Sequence, residues 1–227
     1  MQTSIKPVVL LVLIAAQVMA QGPSAFVVTP NGDRIQGSAI SADADGNIKL
    51  KIGAATRTFK KDTYRDAYIP KPRAVEMLEQ AFIEERYDVV KKQAADQFEA
   101  YKYLGWAGKI AYLEASAYLA EGKSKEALQI IANAERYARP DNEDLLKGKI
   151  NALIAADQDQ PARLLLVKLK AADSRETAAF AFNTSGTLLL KEGKKEDAVL
   201  EFLKTMLLFE PGKVPVQRQE AKRQVVA

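Results

Sequence analysis

The sequence has no cysteine and no histidine. Without thiols there is no Cys nucleophile, no disulfide framework and no c-type haem attachment, and the redox compartment cannot be read from cysteine. Without imidazole there is no Ser-His-Asp triad, and zinc sites built on Cys or His are excluded as well. Tryptophan occurs once, at Trp106. No strong excess of one charge is present, with 33 Lys/Arg against 29 Asp/Glu. The imbalance is also local. Residues 21–72 carry eight basic and five acidic groups, whereas residues 73–227 carry 24 of each. A balanced helical region lacks the concentrated basic face that nucleic acid requires.

Long apolar runs are scarce too, and the one that exists is at the N-terminus. "MQTSIKPVVLLVLIAAQVMAQG" has Lys6, an apolar run over Val8–Ala16 that extends loosely to Met19, and small residues at Val18 and Ala20. This is the pattern of a secretory signal peptide over residues 1–20, cleaved after Ala20. The run falls short of the ~20 residues that span a bilayer, although an uncleaved membrane anchor is the alternative. No Cys lies near the cleavage point for lipid attachment. The mature chain is expected to be periplasmic or secreted, and not an integral membrane protein after cleavage.

What is present divides into two grammars. Over residues 21–72, "AFVVT", "RIQGSAISA", "IKLKI" and "TRTFKK" read as four short strands separated by turn signals. Ile48, Leu50 and Ile52 alternate with Lys49 and Lys51, one face buried and one wet. A small all-β domain follows, a meander or an SH3-like barrel. "IPKP" (Ile69–Pro72) ends it, since proline blocks both sheet pairing and helix entry. From Arg73 the pattern changes to a 3.6-residue period, so residues 73–227 form a helical domain. The boundary predicts that this domain folds without residues 21–69.

Within the helical part a phrase recurs. "EGKSKEAL" at Glu121–Leu128 reappears as "EGKKEDAV" at Glu192–Val199. Helical stretches flank each copy, and Pro140 and Pro211 stand at the same distance beyond Ala127 and Ala198. Midway lies "AADQDQPARLLLVKLK", with Ala162 in the place of those alanines. Upstream "EERYDVVKKQ" has the same turn character, with Val89 in that place. About four helical hairpins result. A period near 34 residues with paired helices resembles the tetratricopeptide repeat (TPR) family. The family's small and bulky positions match Ala115, Tyr118, Ala127, Ile131, Ala134 and Pro140 in the second unit, and Gly186, Leu189, Ala198, Phe202 and Pro211 in the fourth. The third unit departs with Ile150 and Leu153, and the first with Met77 and Gln80. The family's early Trp is absent, with Ala111 and Phe182 in its place.

The resemblance implies a superhelix whose concave face is lined by the first helix of each hairpin. In the register of Ala127, Ala162 and Ala198, that face carries Lys109, Tyr112, Ser116, Lys147, Asn151, Asn183 and Thr187. Lys147 and Asn151, four apart, share a helix face. The family's carboxylate-clamping members use a Lys–Asn pair at this spacing. A solvated helix face is the alternative reading of the same pair.

Other motifs favour plain readings. "DADGNI" (Asp43–Ile48) has alternating oxygen ligands, but lacks the Gly at the sixth and Glu at the twelfth position of an EF-hand loop, so a hairpin turn is expected. "NTS" at Asn183–Ser185 is a glycosylation sequon, but it falls within a helix. The aromatic group Phe98, Tyr101, Tyr103, Trp106 and Tyr112 suits packing between hairpins, or a sugar- or peptide-binding platform. No carboxylate pair is singled out for acid–base catalysis. The sequence therefore predicts no enzyme and no cofactor. It predicts an exported scaffold in protein–protein interaction with a protein or peptide of the bacterial cell envelope. The rival reading is an accessory of envelope carbohydrate or peptidoglycan handling, with the β domain as binding module.

Overall fold

The computed structural model describes residues 25–210 and 212–226; the signal peptide expected over residues 1–20 lies outside them, as does Pro211. Six strands precede nine helices among the described residues. The strands are β1 (Ala25–Val28), β2 (Arg34–Gly37), β3 (Ala39–Ala42), β4 (Ile48–Ile52), β5 (Ala55–Phe59) and β6 (Asp66–Tyr68). They form two antiparallel sheets in the orders β2-β1-β6 and β3-β4-β5. The sequence had suggested one strand through "RIQGSAISA". Instead, the chain breaks at Ser38 and passes from one sheet to the other. At Gly37 the sheets come so close that a Cβ would lie 2.5 Å from the Lys51 carbonyl oxygen. The short β6 carried no alternation signal and was not expected.

Ile48 and Leu50 are fully buried, as their alternation with lysine requires, but Ile52 is exposed because it ends the strand at the β4–β5 turn. "DADGNI" is a hairpin turn. The Asp43 carboxylate accepts from the backbone N–H groups of Asp45 and Asn47 and from Asn47 Nδ2, an Asx-type closure that holds its carboxyl below the usual range.

The helices are α1 (Arg73–Ile83), α2 (Tyr87–Tyr101), α3 (Ala107–Ala120), α4 (Ser124–Ala134), α5 (Glu143–Ala155), α6 (Asp159–Lys170), α7 (Arg175–Lys191), α8 (Lys195–Leu208) and α9 (Pro215–Val226). Each packs on its successor from α1 to α9, and α3 packs also on α1 and α5. Side-chain caps start two of them. Asn142 Oδ1 accepts from Leu145 N at 2.9 Å, and Ser174 Oγ accepts from Thr177 N at 3.3 Å.

The ends of α1, α3, α5 and α7 are built alike. The residue that closes each helix takes a left-handed backbone: Glu85 (φ 57°), Gly122 (φ 75°), Asp157 (φ 56°) and Gly193 (φ 77°). Its N–H bonds back to Phe82, Leu119, Ile154 and Leu190 respectively, at 2.9–3.1 Å. The next N–H reaches Ala81, Tyr118, Leu153 and Leu189 at 2.8–3.0 Å. These are Schellman closures. The repeated phrase "EGK" is thus the sequence of a helix stop, with glycine where a side chain is strained.

Ala127, Ala162 and Ala198 are fully buried, each in a core that its helix shares with neighbouring helices. One core joins α1–α5, a second joins α5–α7, and a smaller one holds Ala198, Phe202 and Ala221 of α8 and α9. The β core recruits Leu104 from the α2–α3 connection, with Tyr101 and Tyr103 against it. Trp106 Nε1 donates to the Ile69 carbonyl at 2.9 Å, and its ring lies 6.0 Å from Tyr68. The β and helical parts therefore share a core, although the sequence pattern placed a clean boundary at Ile69–Pro72.

Candidate binding groove

Helices α1, α3, α5 and α7 border one groove of about 580 Å³. Its apolar lining comes largely from the helix ends just described, where Phe82, Leu119 and Ile154 each stand three residues before a left-handed turn residue. Tyr87 closes it beside Phe82, with the two rings 5.6 Å apart.

Four of the seven sequence-chosen residues meet here: Tyr112, Ser116, Asn151 and Thr187. The Ser116 hydroxyl neighbours the Tyr112 phenol but makes no hydrogen bond of normal geometry among the described residues. Burial pushes the Tyr112 phenol above its ordinary pKa, outweighing the nearby Lys109 charge. Lys147 lies one turn before Asn151 on α5, half-buried, with no ion pair or hydrogen bond among the described residues.

Lys109 and Asn183 are engaged elsewhere. Lys109 Nζ sits 3.2 Å from Glu79 and 3.5 Å from Asp144, bridging α1 to α5. Burial acts to lower its pKa, but the two carboxylates outweigh that and raise it. Glu79 also takes Lys71 at 2.8 Å, and the two lysines hold its carboxyl low against the opposing effect of burial. A cation already shared by two carboxylates has little left for an incoming anion. Asn183 is 7 % exposed, covered by α9, where its Nδ2 donates to the Gln217 carbonyl at 2.7 Å. That burial also explains why the sequon at Asn183 offers no accessible amide in the folded chain.

Sequence reasoning missed Phe82, Tyr87, Leu119, Ile154 and Thr184. A signal did exist: Phe82, Leu119 and Ile154 occupy the same place relative to the recurring turn. Among the described residues, no three acidic side chains converge as a metal site, and no helix is long and apolar enough to cross a membrane.

Glu114 on α3 lies apart from the groove, in a cavity of about 310 Å³ with Phe98 and Glu99 of α2 and Gln129, Ile130 and Asn133 of α4. No cation pairs with it among the described residues, and burial pushes its pKa up to about 6. Glu99, in the same cavity, is paired with Lys102 at 2.6 Å.

Compared with protein-family models, curated proteins and solved structures, the chain matches none.

Proposed function

We propose that this chain is an exported, non-catalytic scaffold whose helical repeats are of the TPR type, arranged as a superhelix. It binds a protein or peptide segment of the bacterial cell envelope, in the periplasm or after secretion, along the groove of α1, α3, α5 and α7. The β part, a meander or SH3-like unit, is attached at its side. The observation that carries this reading is the groove lining. Apolar side chains from the ends of α1, α3 and α5 line its floor, and the Asn151 amide stands ready for a backbone. Such a mixture suits an extended segment with apolar side chains. Lys147, unpaired among the described residues, offers its ammonium one turn from Asn151 for a terminal or side-chain carboxylate.

The test is selection from a displayed peptide library against the mature chain, followed by titration of the selected peptides. The expected result is apolar sequences with one carboxylate, and affinity lost when Leu119→Asp is introduced. An unselective library, or equal binding by Leu119→Asp, would remove the groove as the site.

A further inference from the structure

A second cavity, of about 430 Å³, lies where β6 meets the α2–α3 and α4–α5 connections. Its size is within the roughly 300–1,000 Å³ of small-ligand sites, and junctions between structural units are a preferred place for them. Four tyrosines line it: Tyr64, whose hydroxyl donates to the Gly46 carbonyl at 2.8 Å, and Tyr68, Tyr103 and Tyr137 from three separate segments. The ring faces of the last three are largely taken. Tyr68 stacks on Phe26 at 5.2 Å, Tyr103 and Tyr137 meet edge to face at 5.4 Å, and Lys102 lies over both. The hydroxyls of Tyr68, Tyr103 and Tyr137, by contrast, carry no hydrogen bond among the described residues.

Other polar groups of the cavity have spare capacity. Asp141 grips the Arg139 Nε and Nη2 atoms at 3.0 and 2.6 Å, which leaves Nη1 facing Asp66 at 3.9 Å, too far for a hydrogen bond. Asp66 Oδ1 accepts from Ala67 N, and Oδ2 stays open. Burial raises the Asp66 pKa despite Arg139, as expected of a carboxylate short of partners. Asn142 spends its oxygen on capping α5 and keeps its amide hydrogens free. The charges balance, with Arg65, Lys102 and Arg139 against Asp66, Asp141 and Glu143. Neither an anion nor a cation is selected. The only aliphatic lining is Ala67, Ala107 and Ala138, so there is no recess for an apolar side chain.

We infer that this junction cavity is a saccharide site, taking a neutral sugar through the hydroxyls of Tyr68, Tyr103 and Tyr137, the Asp66 carboxylate, the Arg139 Nη1 edge and the Asn142 amide. Convergent donors and acceptors without net charge match a polyhydroxylated ring. The apolar groove, by contrast, suits a peptide. The two sites share no residue, so each stands or falls alone.

The test uses the full mature chain against an immobilised panel of neutral, acidic and N-acetylated oligosaccharides, with apolar peptides as controls. Positive sugars are titrated in solution while the methyl signals of Ala67, Ala107 and Ala138 are followed. The expected result is saturable binding of at least one neutral oligosaccharide that shifts these methyls. The Tyr68→Phe/Tyr137→Phe variant, which keeps both rings, weakens it about tenfold or more at unchanged melting temperature. Lys147→Ala/Asn151→Ala leaves it intact. A panel without saturable binding overturns the site, as does a response confined to anionic sugars or peptides. Binding that leaves the three methyls unmoved, or is indifferent to the double phenylalanine variant, does the same.

Discussion

Gly186 of α7 lies directly against the ring of Phe202 of α8: a Cβ on Gly186 would stand 2.7 Å from the phenyl carbons. Phe202 is fully buried and has no open side to retreat to. Gly186→Ala is therefore expected to destabilise by about 1–3 kcal/mol of overpacking, reduced by the ~1 kcal/mol that alanine gains over glycine within a helix. Denaturant titration measures the difference. A more stable variant would mean that α8 slides freely on α7.

The four Schellman closures give an internal control. Glu85 and Asp157 hold left-handed backbones where Gly122 and Gly193 do so without a Cβ. Glu85→Gly should relieve about 1–2 kcal/mol of strain and lose part of it to the greater freedom of glycine when unfolded, for a net gain of up to about 1 kcal/mol. Gly193→Ala should lose about 1 kcal/mol. Opposite signs in thermal melts check the pair; the same sign in both would show that the turns are not equivalent.

Glu114 makes stability depend on pH. Its folded pKa of about 6 lies above the 4.5 of an ordinary glutamate, so the fold favours the neutral acid. The contribution is fully present below pH 4.5 and disappears as pH rises through 6. The shift corresponds to about 2 kcal/mol, which partial exposure to solvent reduces to about 1 kcal/mol. Glu114→Gln should therefore be about 1 kcal/mol more stable at pH 7.5 and near parity at pH 4. Parallel stability curves for the two proteins between pH 4 and 7.5 would refute the uncompensated carboxylate.

On the groove, Lys147→Ala with Asn151→Ala should weaken a carboxylate-bearing peptide roughly ten- to hundredfold, the loss of about 1.5–3 kcal/mol from a charge-assisted hydrogen bond. The melting temperature should hardly change, because Lys147 has no partner among the described residues. Lys109→Ala should do the reverse, lowering stability as Glu79 and Asp144 lose their shared cation while peptide affinity stays the same. Paired calorimetry and melting curves separate the two lysines.

Removing the β part probes the shared core. Residues 73–227 alone would expose Leu104, and Trp106 would lose its acceptor at Ile69. The fragment is expected to keep a helical circular dichroism spectrum but to melt below the full mature chain. Leu104→Ser in the fragment should recover solubility without restoring that temperature. Equal melting of fragment and full chain would show that the junction adds nothing.

The sequence by itself determined the mostly helical class, the small β part ahead of it and the positions of the buried alanines. These follow from short-range physics: the 3.6-residue period, alternation over Ile48–Leu50, and glycine and proline as stops. It also placed Tyr112, Ser116, Asn151 and Thr187 on one side, because equal spacing from equivalent turns puts residues at equal places in stacked hairpins. Only the tertiary structure decided which polar groups remain available. Lys109 and Lys147 look alike in sequence, yet one is locked between Glu79 and Asp144 and the other is not, since those carboxylates arrive from other helices. Asn183 was placed on the same face, though off the register of a carboxylate clamp, and was covered by α9, whose docking no local pattern encodes. The tyrosine-lined cavity was equally out of reach, because Tyr68, Tyr103 and Tyr137 become neighbours only when β6 packs against the α2–α3 and α4–α5 connections. Local periodicity fixes which face of an element is apolar, whereas long-range packing fixes which charges are neutralised and which hydroxyls are left without a partner.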